Sequence, residues 1–131
     1  MKRLLVAALL AAAPAGGLAQ PAGDAGKGQA LYAQCAACHE IETDANTLGP
    51  TLKGVMGRKA GGLDGYNYSG PMKRADITWT AQTLDAFLAD PQATVPGTKM
   101  PFAGMPDAGD RAALVAYIQS KAAPAAAAPP P

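Results

Sequence analysis

Cys35-Ala36-Ala37-Cys38-His39 is the stretch on which the reading of this chain turns. Its two thiols stand about one helical turn apart, the spacing at which a pair of cysteines adds to the two vinyl groups of one porphyrin. The histidine follows the second thiol directly, so its imidazole is held beneath the iron as proximal axial ligand. His39 is also the single histidine of the chain. Two other chemistries use a Cys-X-X-Cys spacing. A thioredoxin-like dithiol requires a βαβ setting that this strand-poor sequence lacks. A zinc site requires two further sulfur or nitrogen ligands, and the chain has no cysteine or histidine outside the motif to supply them.

Working back from the motif, Asp24 is placed to cap a helix that runs through Gly26, Gly28, Leu31 and Tyr32 toward Cys35. Farther upstream, Lys2 and Arg3 precede an apolar run from Leu4 to Ala13, then Pro14 and small residues up to Ala19. That is the plan of a secretory signal peptide over residues 1–19, cleaved after Ala19. The run falls well short of the ~20 apolar residues of a membrane span, and no later stretch approaches that length. The expected destination is the bacterial periplasm, an oxidising compartment in which covalent haem attachment takes place. Losing Lys2 and Arg3 leaves a near-neutral mature chain, which argues against a nucleic-acid partner.

Downstream, Asn46 to Pro71 is crowded with Gly, Pro and Asn, and carries neither a helical nor a strand period. A loop of that length in one small domain needs an organiser, and a large buried ligand is one. Thr80 then caps a short helix with Leu84, Phe87 and Leu88 on one face, which Asp90-Pro91 stops. Pro91, Pro96, Pro101 and Pro106 predict an extended or turned strap without continuous helix. Asp107 caps a last helix bearing Leu114, Tyr117 and Ile118, with Lys121 at its carboxyl end. Residues 122–131 contain only Ala and Pro and read as a flexible tail. With 131 residues in all, a single all-α domain over residues 20–121 is expected. Aromatic residues make up 5% of the chain, so a bound group is needed to complete its core.

If the iron is six-coordinate, its second ligand comes from elsewhere in the chain, and Met56, Met72, Met100 and Met105 are the methionines beyond the signal. Methionine is a common core filler. Met100 is favoured because Pro96 and Pro101 stiffen the backbone that presents its thioether.

Taken in order, Cys35 to His39, Leu48-Gly49-Pro50, Gly57-Arg58-Lys59-Ala60-Gly61, Gly65-Tyr66-Asn67-Tyr68-Ser69, Ile77-Thr78-Trp79, Asp90-Pro91 and Pro96-Gly97-Thr98-Lys99-Met100 resemble the class I cytochromes c. The branch resembled is the one shared by mitochondrial cytochrome c and bacterial cytochromes c2, and the likeness spans about Gly26 to Lys121. It implies helices and long loops wrapped around one haem c, covalent through Cys35 and Cys38. It also implies that His39 and Met100 are the axial ligands and that the Pro50 carbonyl accepts the His39 ring proton. Arg58, Tyr68 and Trp79 are similar to residues that surround the haem propionates, and Thr98 to one that hydrogen-bonds on the Met100 side. Phe87 departs from the pattern, since mitochondrial relatives usually carry a tyrosine there.

With both axial sites filled by protein, substrate has no access to the iron, so the expected role is electron transfer without catalysis. The implied partners are membrane redox complexes: a quinol-oxidising donor, and a terminal oxidase, reductase or photosynthetic reaction centre as acceptor. The carrier is expected to be a monomer. Lys27, Lys53, Lys73 and Lys99 are the candidate docking lysines. A haem enzyme or gas-binding protein with an open sixth site is the rival from another class, and it requires that Met100 not bind. A detached haem domain serving a larger enzyme is a second rival, against which the signal peptide and single domain weigh.

Overall fold

The crossing of the first and last helices frames the molecule. The computed structural model describes residues 23–122. The signal peptide expected at 1–19 and residues 123–131 of the expected Ala/Pro tail lie outside them. Helix α1 (Gly23–Ala36) lies against α5 (Ala108–Lys121), and Gly28 makes that approach feasible. A Cβ placed on Gly28 would stand 2.3 Å from the Ala113 carbonyl oxygen and 2.8 Å from the Tyr117 Cβ. The Tyr32 and Tyr117 rings meet at a 43° tilt with centroids 5.3 Å apart, and Lys27 pairs with Asp110 at 2.7 Å. Asp24 lies inside α1, which starts at Gly23, so the expected cap at Asp24 is replaced by a position in the first turn.

Asp107 caps α5 by accepting from the Asp110 N–H at 2.8 Å. The helix buries Leu114, Val115 and Ile118 at helical spacing. Ala122 was grouped with the tail by composition, yet it is fully buried and its N–H donates to Ile118 O at the end of α5. Between these two helices sit α2 (Gly70–Arg74), α3 (Ala81–Ala89) and α4 (Pro91–Thr94). Thr80 and Thr83 form a reciprocal capping box at the start of α3, which buries Leu84, Phe87 and Leu88 as their spacing predicts. Arg111 ties α5 to α3 through Asp85 at 2.8 Å and donates to the carbonyls of Met105 and Pro106.

The proline-rich strap differs from its expected form at one end. Pro91 stands at the first position of α4, where a missing N–H leaves no bond unmade, and Asp90 caps that turn by accepting from the Ala93 N–H. Proline here starts a helical turn instead of excluding one. The rest of the strap, from Val95 to Pro106, is irregular as predicted. The described residues include no strand, only an isolated bridge between Lys59 and Thr78. No described helix is long and apolar enough to cross a membrane. The all-α class is therefore observed.

Gly26 and Gly28 lie on the same helix, but a Cβ on Gly26 meets nothing within 4 Å. Gly26→Ala is expected to stabilise the protein by up to about 1 kcal/mol through helix propensity. Gly28→Ala is expected to destabilise it by about 1–3 kcal/mol through overpacking. Denaturant unfolding of the two variants checks the opposite signs.

Candidate functional site

The backbone turns sharply where α1 ends, with the N–H groups of Cys38 and His39 both donating to Cys35 O, at 3.0 and 2.9 Å. That turn places Cys38 and His39 in the wall of a cavity of about 400 Å3. Cys35 sits one turn back, half-buried against the core and outside the cavity lining. Both thiols are free. Burial pushes the Cys35 thiol up to about 11, with the neighbouring Cys38 adding to the rise. A thiol held protonated in this way is a poor redox nucleophile and a poor zinc ligand, whereas addition to a vinyl group leaves an uncharged thioether.

His39 is fixed from three directions. Its ring Nδ1 lies 2.7 Å from Pro50 O, which only accepts, so Nδ1 carries the proton and Nε2 keeps its lone pair. Its backbone carbonyl accepts from the Tyr32 hydroxyl at 2.9 Å. The neighbouring Cys38 carbonyl accepts from Gly49 N–H at 2.8 Å and from Thr47 Oγ1 at 2.6 Å. Burial lowers the His39 pKa, and the bond to Pro50 offsets part of that change. The ring is thus neutral at physiological pH. Gly49 is required by contact: a Cβ there would stand 2.5 Å from His39 Cε1 and 2.7 Å from Nδ1.

The strap brings Thr98 and Met100 into the same cavity wall. Thr98 is buried, and its hydroxyl lies 3.5 Å from the Met100 N–H, so it meets the ligand candidate's backbone. Gln92 anchors this segment by donating to Thr98 O and accepting from Gly97 N–H, at 3.0 and 3.2 Å. Nothing in its isolated sequence marks Gln92 for that task, because its partners lie five and six residues on around a turn.

Arg58, Tyr68 and Trp79 line the cavity together, as do Tyr66, Met72 and Phe87. Arg58 Nη1 donates to Thr51 O at 2.7 Å, and Nη2 donates to Lys53 O. This guanidinium therefore braces the Pro50 loop while facing the cavity. Burial raises the Tyr68 pKa, and the adjacent Arg58 charge offsets part of the rise. Trp79 packs edge-on against Phe87 at 5.2 Å. Tyr66 donates to Leu48 O at 2.8 Å and carries Lys99 Nζ 4.8 Å above its ring, roles that its place in the motif does not reveal. Leu48, at the cavity edge, is 78% exposed.

These residues fit a haem. The cavity has the volume of a small-cofactor site. It offers a neutral imidazole, a thioether, an apolar wall and, at Arg58, Tyr68 and Trp79, donors suited to carboxylates. Of the methionines weighed on sequence, Met72 also lines the cavity, Met105 is buried in the core, and Met56 packs against it.

The family model described as Cytochrome c matches residues 25–122. The chain is 44% identical to cytochrome c 2.1 of Caenorhabditis elegans, over 79% of this chain and 94% of that one. It is 40% identical to cytochrome c2 of Rhodomicrobium vannielii, over 92% and 98% of the two chains. Among solved structures it is similar to cytochrome cH from Methylobacterium extorquens, with TM-score 0.70, 47% identity, and coverage of 76% of this chain and 100% of that one.

Gly49→Ala is expected to push the His39 ring off Pro50 and to destabilise the protein by about 1–3 kcal/mol in denaturant unfolding.

Proposed function

Because the chain belongs to the cytochrome c family, we propose that it is an electron carrier whose one haem c is bound through Cys35 and Cys38, with His39 and Met100 as axial ligands. Donor and acceptor in this reading are membrane redox complexes: a quinol-oxidising complex, and a terminal oxidase, reductase or photosynthetic reaction centre. The chain acts as a monomer in the periplasm after residues 1–19 are removed. The observation that carries the reading is the 2.7 Å bond between His39 Nδ1 and Pro50 O, in a cavity that Met100 also lines.

When bound, the haem supplies the one-electron Fe(III)/Fe(II) couple. The chain supplies the rest. Pro50 fixes the His39 tautomer and raises the basicity of Nε2. Gln92 and Thr98 hold the backbone on either side of Lys99, so the Met100 thioether is presented from a braced segment. Val55, Met72, Trp79 and Phe87 exclude water, which favours the less charged reduced state. Arg58, Tyr68 and Trp79 would supply donors to the propionates. With His39 and Met100 both holding the iron, the chain would leave no position on it for a substrate, and the haem would supply electron exchange alone.

The visible spectrum tests this reading. The reduced protein should show the sharp bands of a six-coordinate c-type haem and remain unchanged on adding carbon monoxide. The ferric form should show the long-wavelength sulfur-to-iron band, and Met100→Ala should lose it. A five-coordinate high-spin wild type would favour the ligand-binding or catalytic rival.

Charge on two of the four docking candidates, Lys27 and Lys53, is locally offset. Lys27 pairs with Asp110 at 2.7 Å and Lys53 with Asp44 at 3.0 Å, while Lys99 donates to Asn67 O. Long-range steering is correspondingly weak. Raising ionic strength should slow electron transfer to a partner complex by less than about tenfold, the low end for steered association, as stopped-flow kinetics would show.

A further inference from the structure

The peptide unit joining Pro50 and Thr51 is hydrogen-bonded at both ends. Its carbonyl accepts from His39 Nδ1 at 2.7 Å, and its N–H donates to Asn46 Oδ1 at 2.9 Å. Peptide resonance couples the two ends, so an acceptor on the N–H draws electron density toward the carbonyl oxygen and strengthens it as an acceptor. The unit is also held in place. Thr51 is 2% exposed, its hydroxyl donates to Thr43 O at 2.6 Å and accepts from Lys53 N–H at 3.1 Å, and its carbonyl takes the Arg58 bond at 2.7 Å. Among these groups Asn46 is the one side chain whose oxygen meets the peptide N–H that faces away from His39.

We propose that Asn46 is a positioning residue that tunes the electron donation of His39 through the Pro50–Thr51 peptide unit; this rests on the reading of His39 as axial ligand. A stronger Pro50 acceptor makes the imidazole more electron-rich at Nε2, which favours the oxidised state of the bound iron. Removing the Asn46 oxygen weakens the relay and favours the reduced state.

The sign of the change separates this role from simple loop bracing. In the holoprotein, Asn46→Ala should raise the reduced-to-oxidised ratio at a fixed electrode potential about two- to fourfold, the size implied by a 10–30% change in one strong hydrogen bond. The His39 Nδ1 proton of the reduced protein should move upfield in NMR and exchange faster with solvent. Asn46→Asp keeps the oxygen and makes it a stronger acceptor, so the ratio should fall. That fall should exceed the one from Ala45→Asp, which adds the same charge one residue away without the bond. A loosened loop that only admits water would lower the ratio in both Asn46 variants, and that result, or an unchanged Nδ1 proton in Asn46→Ala, overturns the relay. A wild-type spectrum without a six-coordinate low-spin haem would overturn the ligand reading beneath it.

Discussion

The hydrogen bond from His39 Nδ1 to the Pro50 carbonyl is the constraint on which the rest of the site depends. It joins the turn that ends α1 to the loop that follows, and it decides which ring nitrogen is left bare. A neutral imidazole with one nitrogen committed has one lone pair to give, in one direction. The surrounding bonds protect that direction. Tyr32 holds the His39 carbonyl, Thr47 and Gly49 hold the Cys38 carbonyl, and Thr51 fastens the loop behind Pro50. Gly49 belongs to the same constraint, since any side chain there would occupy the space of the imidazole.

Arg58 links this loop to the rest of the cavity. It donates to the carbonyls of Thr51 and Lys53 and lines the cavity beside Tyr68 and Trp79. A short backbone ladder continues the connection: Trp79 N–H donates to Arg58 O at 2.9 Å and Gly57 N–H donates to Trp79 O at 2.8 Å. Arg58 and Trp79 are thereby tied to the same segment that braces the histidine. The methionine side is built differently. There the Asp90-capped turn of α4 feeds a strap held by Gln92, and the nearby walls contributed by Met72 and Phe87 are apolar. The contrast is between polar bracing behind the histidine and apolar walls near the methionine.

Much of this was legible along the chain because the determining signals are local. Cys35 to His39 sit within two helical turns, Thr80 and Asp107 cap the helices that begin next to them, and the spacing of Leu84, Phe87 and Leu88 marks a buried face without knowledge of its partner. Where the reading departed from the structure, a local rule had two outcomes. Proline forbids helix interiors but is welcome at a first turn, and Pro91 took the second course once Asp90 capped it. Alanine signals nothing about burial, and Ala122 is fully buried because α5 carries it inward.

By itself, then, the sequence determined the Cys-X-X-Cys-His motif, the helical class, the helix caps of α3 and α5 and the order of the motifs, since each depends on residues within a turn or two of one another. Only the tertiary structure decided which groups surround His39 and which brace the segment bearing Met100. Those contacts join residues 7 to 11 positions apart around His39 and five or six apart at Gln92, and the cavity gathers residues more than 50 apart. Separations of that kind leave no period or spacing in the chain, because loop closure and side-chain fit, not local geometry, bring the groups together.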